Sequence, residues 1–213
     1  MQMNLTHSFN LDKNDLNFGT ALNKEDSLDK YIINTKYDNI DFIISDFNMS
    51  AIEMVLYAKI RREYVLKKIL RPIIEQGQYD YILIDTNPTL GMLNFNVLNA
   101  CDYVIIPVQL NSFGLEGIDI LIEFIDGARQ CNESLKIAGI LVNNYDVRKK
   151  EITAQSESYL KTGYGSMVFN TIIRVDTNIE KAQMNNEPVL VFDTNSRISK
   201  EYRELAKEVM KKC

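Results

Sequence analysis

The sequence predicts an α/β protein of the P-loop NTPase-like, doubly wound kind, a mostly parallel sheet with helices on both faces. Three observations point to it. Residues 79–85, 103–108, 137–142 and 168–173 are apolar runs rich in Ile, Val and Tyr. They are continuous rather than alternating, as strands covered on both faces are. Stretches of helical spacing separate them, at 93–99, 115–131 and 153–160, and a helix between two strands is the usual parallel crossover. Finally, 213 residues that are 46% apolar and 25% charged are enough to bury one core.

In chain order, the first forty residues are polar, with weak periodicity over 22–33. Residues 41–45 read as a short buried strand. Ser50 is placed to cap a long helix whose apolar positions Ile52, Val55, Leu56, Ile60, Tyr64 and Ile69 share one face. Pro72 implies a kink, or a break before a second short helix, and Gly77 a stop. The strands and helices already named follow. A last helix over 199–212 carries Tyr202, Leu205, Ala206, Val209 and Met210 along one side, which reads as core packing. No repeat or linker interrupts the run, so residues 1–213 read as one domain.

Several function classes are excluded. A net charge of -5 is wrong for a generally basic nucleic-acid coat, although Arg148, Lys149 and Lys150 form a local basic cluster. The longest uncharged apolar stretch, 103–115, is too short to span a bilayer and contains Pro107, Gln109 and Asn111. No basic segment leads into an apolar one at the N-terminus, so no signal peptide is read. Cys101, Cys131 and Cys213 are odd in number and far apart, the usage of a reducing cytosol without a metal or disulfide framework. His7 is the single histidine, so Ser45, Ser112 and Ser166 have no triad partner elsewhere. A metal held by oxygen ligands stays open.

Ligands in open α/β sheets sit beyond the carboxyl ends of the strands. Asp85 ends the run 79–85 and is followed by Thr86, Asn87 and Pro88. This is a Walker B pattern, a carboxylate at a strand tip aimed at a water of a Mg²⁺ shell beside phosphates. The same residue also suits capping of a turn. The block from Tyr79 through Asp85-Thr86-Asn87-Pro88 to Gly91 resembles the ParA/MinD family of deviant Walker ATPases. So do Ala100 to Gln109, Leu115-Glu116-Gly117, Gly139 to Asp146, Asn186 to Val189, and Gln2-Met3-Asn4, the last being like the tail of an Asp-x-Asp-x-Gln-x-Asn segment. The likeness runs along nearly the whole chain and is greatest to the ParA branch.

That resemblance implies an ATP-switched homodimer that binds DNA without sequence preference and meets a ParB-like partner in plasmid or chromosome segregation. The implied setting is the cytoplasm, on the nucleoid, with no membrane. Asp85 would be the Mg²⁺-linked carboxylate, through a water, and Thr86, Asn87 and Pro88 the switch that senses the γ-phosphate. Asn143 would contact adenine, unless it is a loop amide serving its own backbone. Arg174 stands near the base where many relatives have proline, and Lys181 where they often have Glu. Arg148, Lys149, Lys150, Arg197, Lys200 and Arg203 are DNA-contact candidates, each equally suited to a solvated surface. The last helix would have the general form of a MinD-like membrane helix, though acidic residues interrupt its basic face.

The family's Gly-rich phosphate loop is not matched: no Gly-Lys-Ser/Thr occurs in the 213 residues. The expectation is a domain truncated before that loop and the first strands, with Met1 inside the Asp-x-Asp-x-Gln motif. The alternative is a degenerate non-ATPase scaffold that docks on an intact ParA subunit. In either case the chain alone is expected neither to bind ATP tightly nor to hydrolyse it, and its unpaired strand edges to seek another chain.

Overall fold

A polar side chain opens the first helix: Asn17 accepts the Thr20 N–H at 2.9 Å, and α1 (Phe18–Lys24) runs on to Glu25. The structure, a computed structural model, describes residue 9 and residues 17–45, 49–110 and 112–213. The chain divides into two units, Met1–Cys101 with Ala128–Glu133, and Asp102–Gly127 with Ser134–Cys213. The segment Gln2-Met3-Asn4 and His7 lie outside the described residues.

The first unit is mostly helical. Glu25 closes α1 in the left-handed region at φ 55. β1 (Ile33–Asn34) and β2 (Asp41–Phe42) form an antiparallel hairpin in the register Ile33↔Phe42. The strand expected over 41–45 is therefore two half-buried residues. Beyond it the chain turns inward, Ile44 is buried, and its carbonyl accepts the Phe18 N–H at 2.8 Å. α2 (Met49–Tyr57) already includes Ser50, which is not its cap. The break expected at Pro72 falls earlier, over 58–61, where Arg61 adopts φ 52 and reverses the chain. After a 3-10 turn, Arg62–Tyr64, α3 (Val65–Gln76) carries Pro72 inside it. Burial of Val65, Leu66, Ile69, Leu70 and Ile73 outweighs the one hydrogen bond that proline removes. Gly77 ends α3 at φ 62, as its position suggested.

α4 (Met92–Ala100) packs on α3 through Leu93 and Val97 and through two buried amides. Asn96 accepts the Leu66 N–H at 3.1 Å and donates to the carbonyls of Arg62 and Met92 at 2.8 and 3.0 Å. Asn99 donates to the Glu63 carbonyl at 3.0 Å. These amides satisfy helix-end groups that otherwise lack partners.

The second unit holds the parallel strands. β3 (Tyr103–Val108) and β4 (Lys136–Val142) pair in parallel from Tyr103↔Lys136 to Val108↔Val142, with a bulge after Val104. α5 (Ser112–Arg129) is the crossover and begins three residues before Leu115. α6 (Lys150–Tyr164), α7 (Thr177–Met184), α8 (Val189–Phe192) and α9 (Arg197–Lys212) complete the unit.

The strand expected over 168–173 does not form as one. It keeps a parallel bridge, Ile140↔Val168, and N–H bonds from Phe169 to Ile140 and from Ile173 to Val142 at 2.9 and 3.0 Å. The Asn170 and Thr171 amides turn instead to the Glu208 carboxylate of α9. Ile198, Tyr202, Leu205 and Val209 of that helix pack with Ala138, Leu141, Phe169 and Ile173, so the core role read for the last helix holds for Tyr202, Leu205 and Val209, whereas Ala206 and Met210 of the same reading are exposed. No helix among the described residues is long and apolar enough to cross a membrane.

Candidate functional site

The Walker B run touches the core at its ends, Tyr79 donating to Asp41 at 2.6 Å and Ile84 packing against the helices, but its backbone pairs with no strand among the described residues. Residues 79–86 are not in a strand, and Tyr81, Ile82 and Leu83 are 49%, 42% and 88% exposed. An extended backbone becomes a strand only where a neighbour takes its N–H and C=O groups, and no described residue does so here. Asp85, Thr86 and Pro88 are exposed and Asn87 is half-buried.

The loop after Asp85 is nevertheless held in shape. Asn94 of α4 donates to the carbonyls of Asn87 and Thr89 at 2.7 and 2.5 Å, and Thr89 donates to the Asn87 side-chain oxygen at 2.8 Å. Gly91 precedes α4, and a Cβ on it would lie 1.9 Å from Glu53 Oε1. That carboxylate accepts the Leu93 N–H at 3.3 Å, so only glycine lets Glu53 reach the helix end. Asn94 and Glu53 went unnoticed in the sequence, where nothing distinguishes them from surface polar residues.

A second site lies past the carboxyl end of β4. Tyr145, Asp146, Val147, Arg148, Arg174, Val175, Thr177 and Arg197 line a cavity of about 320 Å³. Its frame is a parallel bridge, Tyr145↔Arg174, with the Tyr145 N–H on the Ile173 carbonyl and the Val175 N–H on the Tyr145 carbonyl, both at 3.0 Å. Arg148 grips Asp146 with two parallel bonds of 2.8 Å and a backbone N–H at 3.0 Å. This fork, its side-chain bonds first, holds the Asp146 carboxyl down at about 2. The Tyr145 phenol donates to Glu157 at 2.9 Å, which pushes its pKa up.

Two further arginines are set from α9. Glu201 accepts the Arg174 N–H at 2.9 Å, Arg174 Nε at 2.5 Å and Arg197 Nη1 at 2.8 Å. Arg197 Nη2 also reaches Asp176 at 2.9 Å and the Val175 carbonyl at 2.8 Å. Each guanidinium is thus matched by a carboxylate, and the cavity offers no uncompensated charge for a phosphate. Planar guanidinium faces beside a tyrosine ring suit a flat, neutral group such as a nucleobase.

The cavity therefore gathers Arg148, Arg174 and Arg197. Asn143 is not in its lining; its N–H bonds the Val108 carbonyl at 2.8 Å. Lys149 and Lys200 are exposed, Lys150 opens α6, and Arg203 donates to the Thr194 carbonyl at 2.7 Å. Tyr145, Asp146, Thr177 and Glu201 were missed as site residues. The Arg197–Glu201 spacing of four on a helix was the one legible signal.

Mg²⁺ with phosphates is a different matter. Among the described residues no three His, Cys, Asp or Glu side chains gather, and Asp85 stands alone on an exposed segment. These residues do not by themselves fit a metal–phosphate centre.

A parallel α/β unit with a cavity beyond its strand ends fits the class of P-loop NTPase-like folds, and comparison with known proteins agrees. McdA of Cyanothece superposes with a TM-score of 0.86 at 16% identity, covering 98% of this chain and 84% of McdA; a variant solved with ATP gives 0.85. The AAA domain family model matches residues 1–137. Chromosome partitioning protein ParA of Caulobacter vibrioides is 32% identical over 179 residues, 84% of this chain and 67% of that protein. An uncharacterised Mycobacterium tuberculosis protein is 33% identical over 188 residues, and the chain spans 57% of its length. The chain belongs to the ParA/MinD superfamily, as a ParA-like member.

Proposed function

We propose that residues 1–213 are one ParA-type nucleotide-binding domain and belong to a partition protein of plasmid or chromosome. In this reading a homodimer holding ATP and Mg²⁺ coats DNA without sequence preference, in the cytoplasm on the nucleoid. A ParB-like partner stimulates weak ATP hydrolysis and releases the dimer. The observation that carries the reading is the 32% identity to a chromosome partitioning ParA along most of the chain.

Within it, the cavity beside Tyr145 takes the base, with Arg174 in its wall and Asn143 at its strand end. Were the phosphate-loop residues of the family supplied, Asp85 would meet the Mg²⁺ shell through a water, and Thr86, Asn87 and Pro88 would report the γ-phosphate. Of the DNA candidates, Lys149 and Lys200 are the better ones, with Lys150 and Arg203 near them in sequence, whereas Arg148 is held by Asp146. Arg197 is occupied by two carboxylates and would have to leave them to reach a phosphate. The phosphate-loop residues are not among these 213, so the chain alone binds ATP weakly.

The test is binding to random-sequence duplex DNA over a salt series, with and without Mg-ATP. Binding that weakens steeply as salt rises supports phosphate contacts. No binding at low salt removes the DNA part of the reading. A second reading, a scaffold docking on an intact ParA-type subunit, is favoured by the exposed Tyr81, Ile82 and Leu83, whose backbone has no strand partner among the described residues. Co-purification with a full-length relative tests it. A MinD-like membrane role is disfavoured, because Ile198, Tyr202, Leu205 and Val209 of α9 are used by the core, which leaves Met210 as its exposed large apolar side chain; liposome flotation should find no binding.

A further inference from the structure

α9 does more to the cavity wall than pack beneath it. Two of its carboxylates, seven residues apart, take the backbone N–H groups of Asn170, Thr171 and Arg174. Glu208 accepts the Asn170 and Thr171 N–H groups at 2.8 and 3.0 Å, and the Asn170 amide and Thr171 hydroxyl at 3.1 and 3.0 Å. Its contacts end in the loop before the cavity. Glu201 differs: besides the Arg174 N–H it holds Arg174 Nε and Arg197 Nη1 on a single oxygen, Oε1.

We propose that Glu201 is the positioning residue of the cavity, a carboxylate on the C-terminal helix that sets the Arg174 and Arg197 guanidiniums as one wall for the planar part of an adenine nucleotide. The inference rests on the base-site reading above. An arginine side chain has many rotamers, and freezing two of them beforehand removes an ordering cost that a ligand would otherwise meet. One carboxylate shared by two guanidiniums couples them, so that moving either disturbs the other. Asp176 secures Arg197 from a second side, whereas Arg174 is held by Glu201 on both its N–H and its Nε. Arg174 is therefore the arm that depends on Glu201 most.

The experiment compares the 15N-labelled chain with Glu201→Gln and Glu208→Gln, variants that keep side-chain size. Hydrogen exchange at backbone amides and arginine Nε–H groups is read first, then Mg-ATP is titrated. Glu201→Gln should speed exchange at the Arg174 N–H and Nε–H about tenfold, since charge-assisted bonds to arginine become neutral ones. It should leave the Thr171 amide unchanged and weaken Mg-ATP severalfold. Glu208→Gln should free the Asn170 and Thr171 amides while leaving Arg174 Nε–H exchange and Mg-ATP affinity as they were.

The proposal is overturned if Glu201→Gln leaves Arg174 Nε–H as protected as before. It is overturned equally if both variants weaken Mg-ATP alike, since α9 would then matter only as packing. Should Mg-ATP at millimolar concentration shift no signal of Tyr145 or Val175 in the unsubstituted chain, the base-site reading falls. The exchange data still decide whether Glu201 sets the two arginines.

Discussion

Residues 79–86 and 168–175 are written in the same language and meet different fates. Both hold apolar runs, 79–85 and 168–173, that the sequence reads as buried strands, and neither is a regular strand in the structure. The second is secured: two of its N–H groups bond β4 and three more bond carboxylates of α9. The first has no such partner among the described residues, and Leu83 stands 88% in solvent. Apolar β-branched sequence supplies the appetite for burial, but a strand exists only where something accepts its backbone. A helix can play that part if it carries acidic side chains at the right spacing.

The largest expected effect contrasts the two runs directly. Phe169→Ala, at a side chain 2% exposed and capped by the Lys212 ammonium 4.2 Å from the ring centroid, should cost about 3–5 kcal/mol. Leu83→Ala should stay within about 0.5 kcal/mol. Urea unfolding of both variants measures the gap, and equal costs would mean that residues 79–86 are buried in solution.

Next comes Gly139→Ala. Its Cβ would sit 2.7 Å from a Phe169 ring carbon and 2.8 Å from the Met167 carbonyl oxygen, so about 1–3 kcal/mol should be lost by overpacking. Unchanged stability would show that the chain beside β4 yields more easily than its hydrogen bonds suggest.

Leu83→Lys probes the open run from the other side. It should leave the unfolding midpoint in place and lower light scattering at high protein concentration, because a charge on an unpaired edge blocks pairing with another copy.

The smallest effect concerns pH. The Asp146 carboxyl is held at about 2 when folded, against roughly 3.9 unfolded. Its contribution is therefore complete above about pH 4 and is lost as pH falls toward 2. Asp146→Asn should show a shallower decline of Tm across that window, and a parallel decline would remove the Asp146–Arg148 pair as a contributor.

Much of the fold was legible because helical spacing and β-rich runs are local properties. α4, β3, β4 and α9 all fall within a few residues of their predicted positions. The break at Arg61 was not, since a left-handed turn at an arginine has no sequence mark while Pro72 has a misleading one. Nor was the division of labour among the polar residues. Asn96 and Asn99 look like surface residues on a short helix and prove to be buried caps for its neighbour. At the candidate site, Arg148, Arg174 and Arg197 were noticed for their charge. Arg148 and Arg197 have carboxylate partners two and four residues away, but the Arg174–Glu201 and Arg197–Asp176 pairs join residues 27 and 21 apart, and partnership across such distances is invisible to spacing.

The open run over residues 79–86 also has a colloidal consequence. At pH 7 the chain carries a net charge of -5, and copies repel one another before their sticky segments touch. The isoelectric point is near 5.1, so mild acidification removes that barrier while leaving the fold's ion pairs in place. Solutions should cloud in a narrow band around pH 5 and clear on either side, a solubility minimum set by long-range charge and given its grip by Tyr81, Ile82 and Leu83.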